Sequence, residues 1–469
     1  MLSFPLVVRV MDGSTRLLYS SFNVLTFVER SLTAMNLTNH QFRLAARPVG
    51  LPKASDWNHV AEPVRDPGPG EVLVKTLYLS LDPAMRGWMN EGRSYIAPVG
   101  IGEVMRAAGA GKVIASQNPA FVVGDHVTGI LGVQEYPLFS ADAAKGLIRV
   151  DPKLAPLPVY VGALGITGLT AYFGLLDVGQ PKAGDTVVVS GAAGATGMVA
   201  GQIAKIKDCR AVGIAGGKEK CNYIVKELGF GAAIDYKHES VMEGLRKHCP
   251  QGINMYFDNV GGDILDAALA NLARGARVVL CGAISQYNST TGIKGPSNYL
   301  SLLIKSARME GFIVFNYAAR YAEAAHQLAG WMMAGKLKSR EDIVEGFQSF
   351  PDTLLKLFRG ENTGKLMGCG CIDSGSVSAP NFMQGLPAFH RLQMSFLSAG
   401  ESLDRFAWII NTILRQRSSW MVLRRPIECT GSLARCLAPF CSPKLFPDFV
   451  GCIQHLYSEV LVAATRCLA

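Results

Sequence analysis

Between Asp185 and Cys221 a strand, a turn of small residues and a helix follow one another, and this order constrains the fold of the 469-residue chain more than any other stretch. Thr186 to Val189 is a β-branched run suited to a buried strand. It stops at the small residues from Ser190 to Gly197, and apolar residues then recur at Val199, Ile203 and Ile206, the spacing of one helix face. The turn reads Ala192-x-Gly194-x-x-Gly197, the Gly-x-Gly-x-x-Gly fingerprint with alanine first. A small residue turns the chain, Gly194 lets backbone approach a pyrophosphate, and Gly197 packs helix on strand. The N–H groups that open the helix then face the phosphate charge. A second strand, Ala211 to Ala215, completes the context in which this motif reads as a dinucleotide site.

The length suits two to three domains at about 150 residues each. Apolar residues make up 49% of the chain, with 50 glycines, and no apolar run approaches the roughly 18 to 20 residues of a membrane span. The chain therefore reads as a soluble α/β protein with no membrane partner. The net charge of +9 points to nucleic acid until it is partitioned: residues 1–35 and 370–469 together hold +4 of it. No cluster of Lys and Arg interleaved with aromatics appears, so anionic small molecules are expected and a nucleic-acid partner is not. None of the 11 cysteines precedes Cys209 and no Cys-x-x-Cys framework is present, which reads as a protein of a reducing, cytoplasmic compartment with buried thiols.

Residues 1–35 read as an extension with no fold of its own. Arg9, Arg16 and Arg30 give it a weak likeness to a mitochondrial leader that Asp12 and Glu29 contradict, and Met35 is a natural alternative start. Residues 36–165 carry short strands punctuated by Pro67-Gly-Pro-Gly70 and Gly124-Asp125-His126, the texture of a compact β-rich domain that 341–368 completes. From 166 to 340 the pattern alternates. Strands are expected at Ala211 to Ala215, Ala232 to Asp235, Asn254 to Phe257, Arg277 to Cys281 and Gly311 to Phe315. Helices are expected near 218–227, 239–248, 262–273 and 318–333, which together argue for a parallel sheet covered on both faces. Residues 369–469 show neither alternation nor repeats and carry no assignable function.

At the end of the second strand an Asp or Glu would bind the ribose of NAD, whereas positive charge there accommodates the NADP phosphate. This chain has Gly216-Gly217-Lys218-Glu219-Lys220. Two lysines at a helix start oppose the helix dipole and point to an anion; the alternative is a solvated, charged helix start. A zinc alcohol dehydrogenase needs thiolate ligands, and residues 1–208 contain no cysteine, so no metal is expected and His126 reads as structural. Without a Lewis acid, hydride must go to an activated acceptor such as a double bond conjugated to a carbonyl, and the enolate then needs hydrogen-bond donors. Tyr287, in the loop after a strand, is the candidate donor to the enolate oxygen or to a ribose hydroxyl; a packing tyrosine fits the position equally. Asn259 could hold the cofactor or cap a turn.

These residues belong to longer motifs: Tyr78-Leu-Ser-Leu-Asp82-Pro83-x-Met85-Arg86, Gly174-Leu-Leu-Asp-x-Gly-Gln-Pro-Lys182, the Ala-Ala-Gly-Ala-x-Gly turn, Tyr256-Phe-Asp-Asn-Val-Gly-Gly262, Cys281-Gly-Ala-Ile-Ser-x-Tyr-Asn288 and Gly360-Glu-Asn362-x-Gly-Lys365. In them the chain from about 41 to 367 resembles the zinc-independent medium-chain reductases, within them the NADPH-dependent prostaglandin, alkenal and curcumin reductase group. The resemblance implies a GroES-like β-rich domain beside a Rossmann domain, with NADPH as cofactor and α,β-unsaturated carbonyl compounds as substrates. It implies pyrophosphate contact by Ala192, Gly194, Ala195, Thr196 and Gly197, and contact with the 2′-phosphate by Lys220 with Tyr236. Nicotinamide and ribose contacts are implied for Asn259, for Cys281, Gly282, Ala283, Ile284, Ser285 and Tyr287, for Phe312, Ile313 and Val314, and for Asn362. It further implies a homodimer paired through Rossmann sheet edges. Where many relatives carry Tyr after Asp-Pro, this chain has Ala84, which removes an aromatic from the active-site region. A quinone reductase of the same superfamily is the nearest alternative. A non-catalytic, RNA-binding role like that of zeta-crystallin is another, and steep salt dependence of RNA binding would mark it.

Overall fold

The computed structural model describes residues 37–92 and 94–370, with the backbone of two short antiparallel strands, Val7–Arg9 and Thr15–Leu17. What the sequence led us to expect of the remainder of 1–35 and of 371–469 lies outside the described residues.

Six parallel strands form the sheet that carries the glycine turn. Across it lie Ala232–Asp235, Arg210–Ala215, Thr186–Ser190, Ile253–Asp258, Leu272–Leu280 and Arg308–Gly311, the third, second, first, fourth, fifth and sixth in chain order. This is the Rossmann order, and the winding reverses between the first and fourth strands, where open α/β sheets bind ligands. The continuous apolar run of the first strand follows from cover on both faces. Val187 and Val189 point into a core built with Met198, Ile203, Phe257 and Leu328; Val188 points into the other, with Ile214, Tyr256, Leu245 and Leu269. All three valines are fully buried, and each contributes roughly 1.5–3 kcal/mol of transfer free energy.

The expected helix over 262–273 ends at Ala270 and the strand expected at Arg277 to Cys281 already starts at Leu272, and the last strand differs most. The sixth strand spans Arg308–Gly311, not Gly311 to Phe315, and a 3₁₀ helix, Val314–Arg320, leads into the helix Tyr321–Met333. Apolar Phe312 and Val314 look strand-like in sequence, but both pack from a non-strand backbone into the core beside the first strand. Phe312 there meets Tyr317 edge-on, with ring centroids 6.4 Å apart.

The second domain is mostly antiparallel. Its larger sheet runs Glu341–Val344, Lys365–Cys369, Val72–Ser80, Ala108–Ser116, His126–Ile130 and Ile148–Val150, with Leu138–Phe139 beside Val72–Ser80. Thr38–Leu44 and Trp57–Pro63 form a hairpin beside it. Phe42, Trp57, Met85, Met89, Phe350 and Leu354 share one core, so the late helix Phe350–Arg359 packs on residues from early in the chain. Met367 stands opposite Ser80 across the sheet. Among the described residues no helix is long and apolar enough to cross a membrane.

Candidate active site

The first Rossmann strand ends at Ser190 and the helix Ala195–Ile206 begins after Gly194. The chain reverses at Gly191, whose φ of +59° belongs to the left-handed region that glycine enters freely. The sequence had given that task to Ala192, which instead is buried and donates its N–H to the Ile214 carbonyl at 3.0 Å. Any side chain at Gly197 would bring a Cβ to 2.2 Å from the Gly191 carbonyl oxygen, so the helix can lie against the turn only with glycine there. Ala195, Thr196 and Gly197 open this helix, and N–H groups of a first turn have no carbonyl behind them to bind.

The second strand ends at Ala215, and the helix Lys218–Lys226 follows Gly217. The ring of Tyr236 lies over Gly216, 2.8 Å from where a Cβ would be. Lys220 donates through Nζ to the carbonyl of Gly360 at 2.6 Å, the cap residue of the helix Phe350–Arg359. Burial lowers the pKa of Lys220 below its ordinary 10.5, and the nearby charge of Lys237 lowers it further. The charges of Asp342 and Glu361 act the other way. Lys220, Tyr236 and Gly360 are thus brought together, and Asn362 lies two residues beyond, its Nδ2 turned back to the Gly364 carbonyl at 3.0 Å. Gly364 in turn donates to the Ala193 carbonyl at 2.7 Å, which ties this segment to the glycine turn.

Asn259 follows the fourth strand. Its Nδ2 donates to the Ser190 carbonyl at 2.7 Å and its N–H to Ser190 Oγ at 2.8 Å, so in this state it laces two strand ends together. Asp258 is fully buried, and its Oδ1 accepts from Ser190 Oγ and Tyr256 Oη, both at 2.9 Å. The loop Cys281–Tyr287 hangs on this corner: Cys281 N–H and Gly282 N–H both donate to the Asp258 carbonyl, at 2.9 and 3.0 Å. Ile284 N–H donates to the Asn259 carbonyl, and Ser285 Oγ to that of Val260 at 2.6 Å. Cys281 is no nucleophile, since burial and the charge of Asp258 push its pKa up to about 12.

Tyr287 folds back over its own loop. Its hydroxyl accepts the Ala283 N–H at 3.1 Å. Burial raises its pKa above the ordinary 10, against the pull of that N–H, so at neutral pH it is a phenol. Its proton has no acceptor among the described residues and is available to a ligand. Tyr95 adds to the same rise; its ring lies 6.1 Å from that of Phe315, and its hydroxyl accepts from Trp88 Nε1 at 3.0 Å. The aromatic absent at Ala84, which starts the short helix Ala84–Trp88, is therefore not the only one the region had available. Phe312 and Val314 lie in the core rather than on an open wall, and the Val314 carbonyl is taken by Tyr321 Oη at 3.1 Å.

Sequence reasoning missed Ser190, Asp258 and the pair Asp82 and Lys365. Lys365 is 1% exposed, and its Nζ lies 2.6 Å from Asp82 Oδ1 and 3.1 Å from the Leu81 carbonyl. Both residues stood inside motifs read from the sequence, but nothing local joins positions 283 apart. Among the described residues no group of three or more His, Cys, Asp or Glu side chains is arranged to hold a metal ion.

Both domains of the chain are similar to those of known proteins. Residues 40–149 match the family described as the N-terminal domain of oxidoreductase, and 195–330 the family described as zinc-binding dehydrogenase. The chain is 40% identical over 334 residues to the NADPH-dependent curcumin reductase of Escherichia coli (strain K12), across 70% of this chain and 96% of that one. It is 40% identical over 338 residues to the NADP(+)-dependent 2-alkenal reductase of Nicotiana tabacum, across 71% and 97%. The crystal structure of CurA in complex with NADPH from Vibrio vulnificus superposes with a TM-score of 0.67 at 42% identity, covering 71% of this chain and 99% of that one.

Proposed function

The chain belongs to the medium-chain dehydrogenase/reductases, in the zinc-independent group of curcumin, alkenal and prostaglandin reductases, and from that premise we propose that it reduces the carbon–carbon double bond of α,β-unsaturated aldehydes and ketones with NADPH. The observation that carries the reading is the Tyr287 hydroxyl, protonated and with its proton unused, on a loop hung from the strand end next to the glycine turn.

The site fits the cofactor on its own terms. The turn from Gly191 to Gly197 packs so closely that a Cβ at Gly197 would meet the Gly191 carbonyl oxygen at 2.2 Å, and the helix it opens at Ala195 has first-turn N–H groups without a carbonyl behind them, as a pyrophosphate needs. Lys220, with Lys237 beside it and the Tyr236 ring over Gly216, would hold the 2′-phosphate, which relieves the repulsion between the two ammonium groups. Asp235, which ends the next strand, accepts the Gly217 N–H at 2.7 Å and pairs with His238, so its oxygens already have partners. Asn259, the Cys281 to Tyr287 loop, Ile313 and Asn362 would line the nicotinamide end, while the Phe312 and Val314 side chains stay in the core.

The chemistry that NADPH would supply when held there is a hydride for the β-carbon of the substrate. The protein acts at the other end of the conjugated system. As the double-bond electrons move to the carbonyl oxygen, Tyr287 Oη–H donates to the developing enolate, a contribution of the kind worth ~10²-fold in rate. The α-carbon takes its proton from solvent, and the product is the saturated aldehyde or ketone. Cytoplasmic residence is supported by the free thiols of Cys209, Cys221, Cys249, Cys281 and Cys369. A homodimer is supported by the open edge strand Arg308–Gly311 and by Leu300, Leu303 and Ile304, exposed by 54%, 78% and 75% beside it.

The test is NADPH oxidation across enals, enones and a quinone, with NADH as control and products identified by mass. We expect saturated carbonyl products with NADPH preference, and a Tyr287→Phe variant slower by about tenfold or more. Turnover of the quinone alone, or reduction of the carbonyl to an alcohol, would overturn the reading.

A further inference from the structure

We infer that Asp258 is a positioning residue: its buried carboxylate fixes the corner from which the Tyr287 loop hangs and so sets where the Tyr287 hydroxyl stands. The inference rests on the role proposed for Tyr287.

The carboxylate sits at the end of the fourth strand with no exposure, and no Lys, Arg or His pairs with it among the described residues. A buried charge without a cation is costly unless hydrogen bonds replace its water. Here four donors converge on one oxygen. Ser190 Oγ and Tyr256 Oη stand at 2.9 Å and the N–H groups of Val260 and Gly261 at 3.0 Å, while Gly261 N–H also lies 3.2 Å from Oδ2. Three of the four donors border the site, and the fourth, Tyr256, is a core residue of the strand that Asp258 ends. Ser190 ends the first strand, beside the glycine turn, and Val260 and Gly261 form the loop that follows the fourth.

Three successive carbonyls of that loop then carry the next one. Asp258 C=O accepts from Cys281 and Gly282, Asn259 C=O from Ile284 at 3.3 Å, and Val260 C=O from Ser285 N–H at 3.2 Å and Ser285 Oγ at 2.6 Å. Ala283, held between these anchors, donates its N–H to Tyr287 Oη at 3.1 Å. The path from carboxylate to phenol is unbroken: side-chain acceptor, loop N–H, loop carbonyl, second loop, tyrosine hydroxyl. Fixing a strand end does not by itself require a negative charge. A charge does shorten and stiffen several N–H contacts at once, and displacement of a reacting group by about 1 Å costs on the order of 10²-fold in rate.

The experiment is a double-mutant cycle on the full chain, with 2-hexenal and NADPH as substrates and kcat as the readout. Asp258→Asn keeps the size, removes the charge and turns one acceptor into a donor. If Asp258 acts through Tyr287, Tyr287→Phe and Asp258→Asn each lower kcat by about tenfold or more, and the double variant lies within about twofold of the slower single variant. Losses that multiply, with both single variants slow, overturn the inference and leave the role of Tyr287 standing. A Tyr287→Phe variant at the parent rate overturns both. Should Asp258→Asn not fold, as judged by far-ultraviolet circular dichroism, Ser190→Ala takes its place in the cycle, since it removes one of the four donors and keeps the charge; the same two outcomes then decide.

Discussion

Two lysines touch the short segment from Gly360 to Lys365, one at each end, and they are held in opposite ways. Lys365 is almost wholly buried, pairs with Asp82 and donates again to the Leu81 carbonyl, while Ser80 Oγ donates to the second oxygen of Asp82. Its charge is answered. Lys220 reaches a single neutral carbonyl, that of Gly360, in a partly buried position that lowers its pKa; the charge of Lys237 lowers it further and those of Asp342 and Glu361 act the other way. Among the described residues it makes no ion pair of its own. Of the two lysines it is the one that the proposed NADPH phosphate would meet.

The largest effect that separates the two belongs to Lys365. Replacing it by Met leaves the Asp82 carboxylate, 24% exposed, without its cation, and we expect a loss of about 2–3 kcal/mol in urea denaturation together with weakened activity. Combining it with Asp82→Leu should recover most of that loss. An unchanged denaturation midpoint for Lys365→Met would break the comparison at its first term.

Next in size is Lys220→Ala. With one charge-assisted contact to phosphate removed, KM for NADPH should rise about 10- to 100-fold while KM for NADH stays within about twofold. Stability should fall by no more than about 1–2 kcal/mol, the loss of its hydrogen bond to the Gly360 carbonyl. A variant that binds both cofactors as the parent does would show that the anion site lies elsewhere.

A smaller effect follows from the lowered pKa of Lys220. In the free protein its ammonium loses its proton below the ordinary 10.5, and a bound phosphate favours the protonated form. Binding of NADPH therefore takes up protons on the alkaline side, and the affinity ratio of NADPH to NADH should fall as pH rises from neutral toward 10.5. Isothermal titration at several pH values measures it, and a ratio that stays flat contradicts the assignment. The smallest change is expected from Lys237→Ala. Removing the like charge raises the pKa of Lys220 again, so the alkaline fall should move to higher pH with less than about tenfold change at neutral pH. A fall that stays in place would separate the two lysines.

The sequence alone determined the alternating Rossmann half, the glycine turn and the absence of thiolate ligands before Cys209, because periodicity, turn chemistry and composition are written within a few residues of one another. It also placed Tyr287 and Lys220 at strand ends, where ligands of such sheets bind. It misplaced the sixth strand, since Phe312 and Val314 satisfy the same apolar core from a backbone that has left the sheet. Only the tertiary structure decided that Lys365 is a buried, paired lysine, that Asp258 meets Ser190 across 68 positions, and that Lys365 meets Asp82 across 283. Hydrogen bonds and ion pairs between such distant residues leave no periodic trace in a single chain. They are fixed by how the strands stack and where the late segment returns, and that return places Lys365 beside Asp82 and the carbonyl of Gly360 on Lys220.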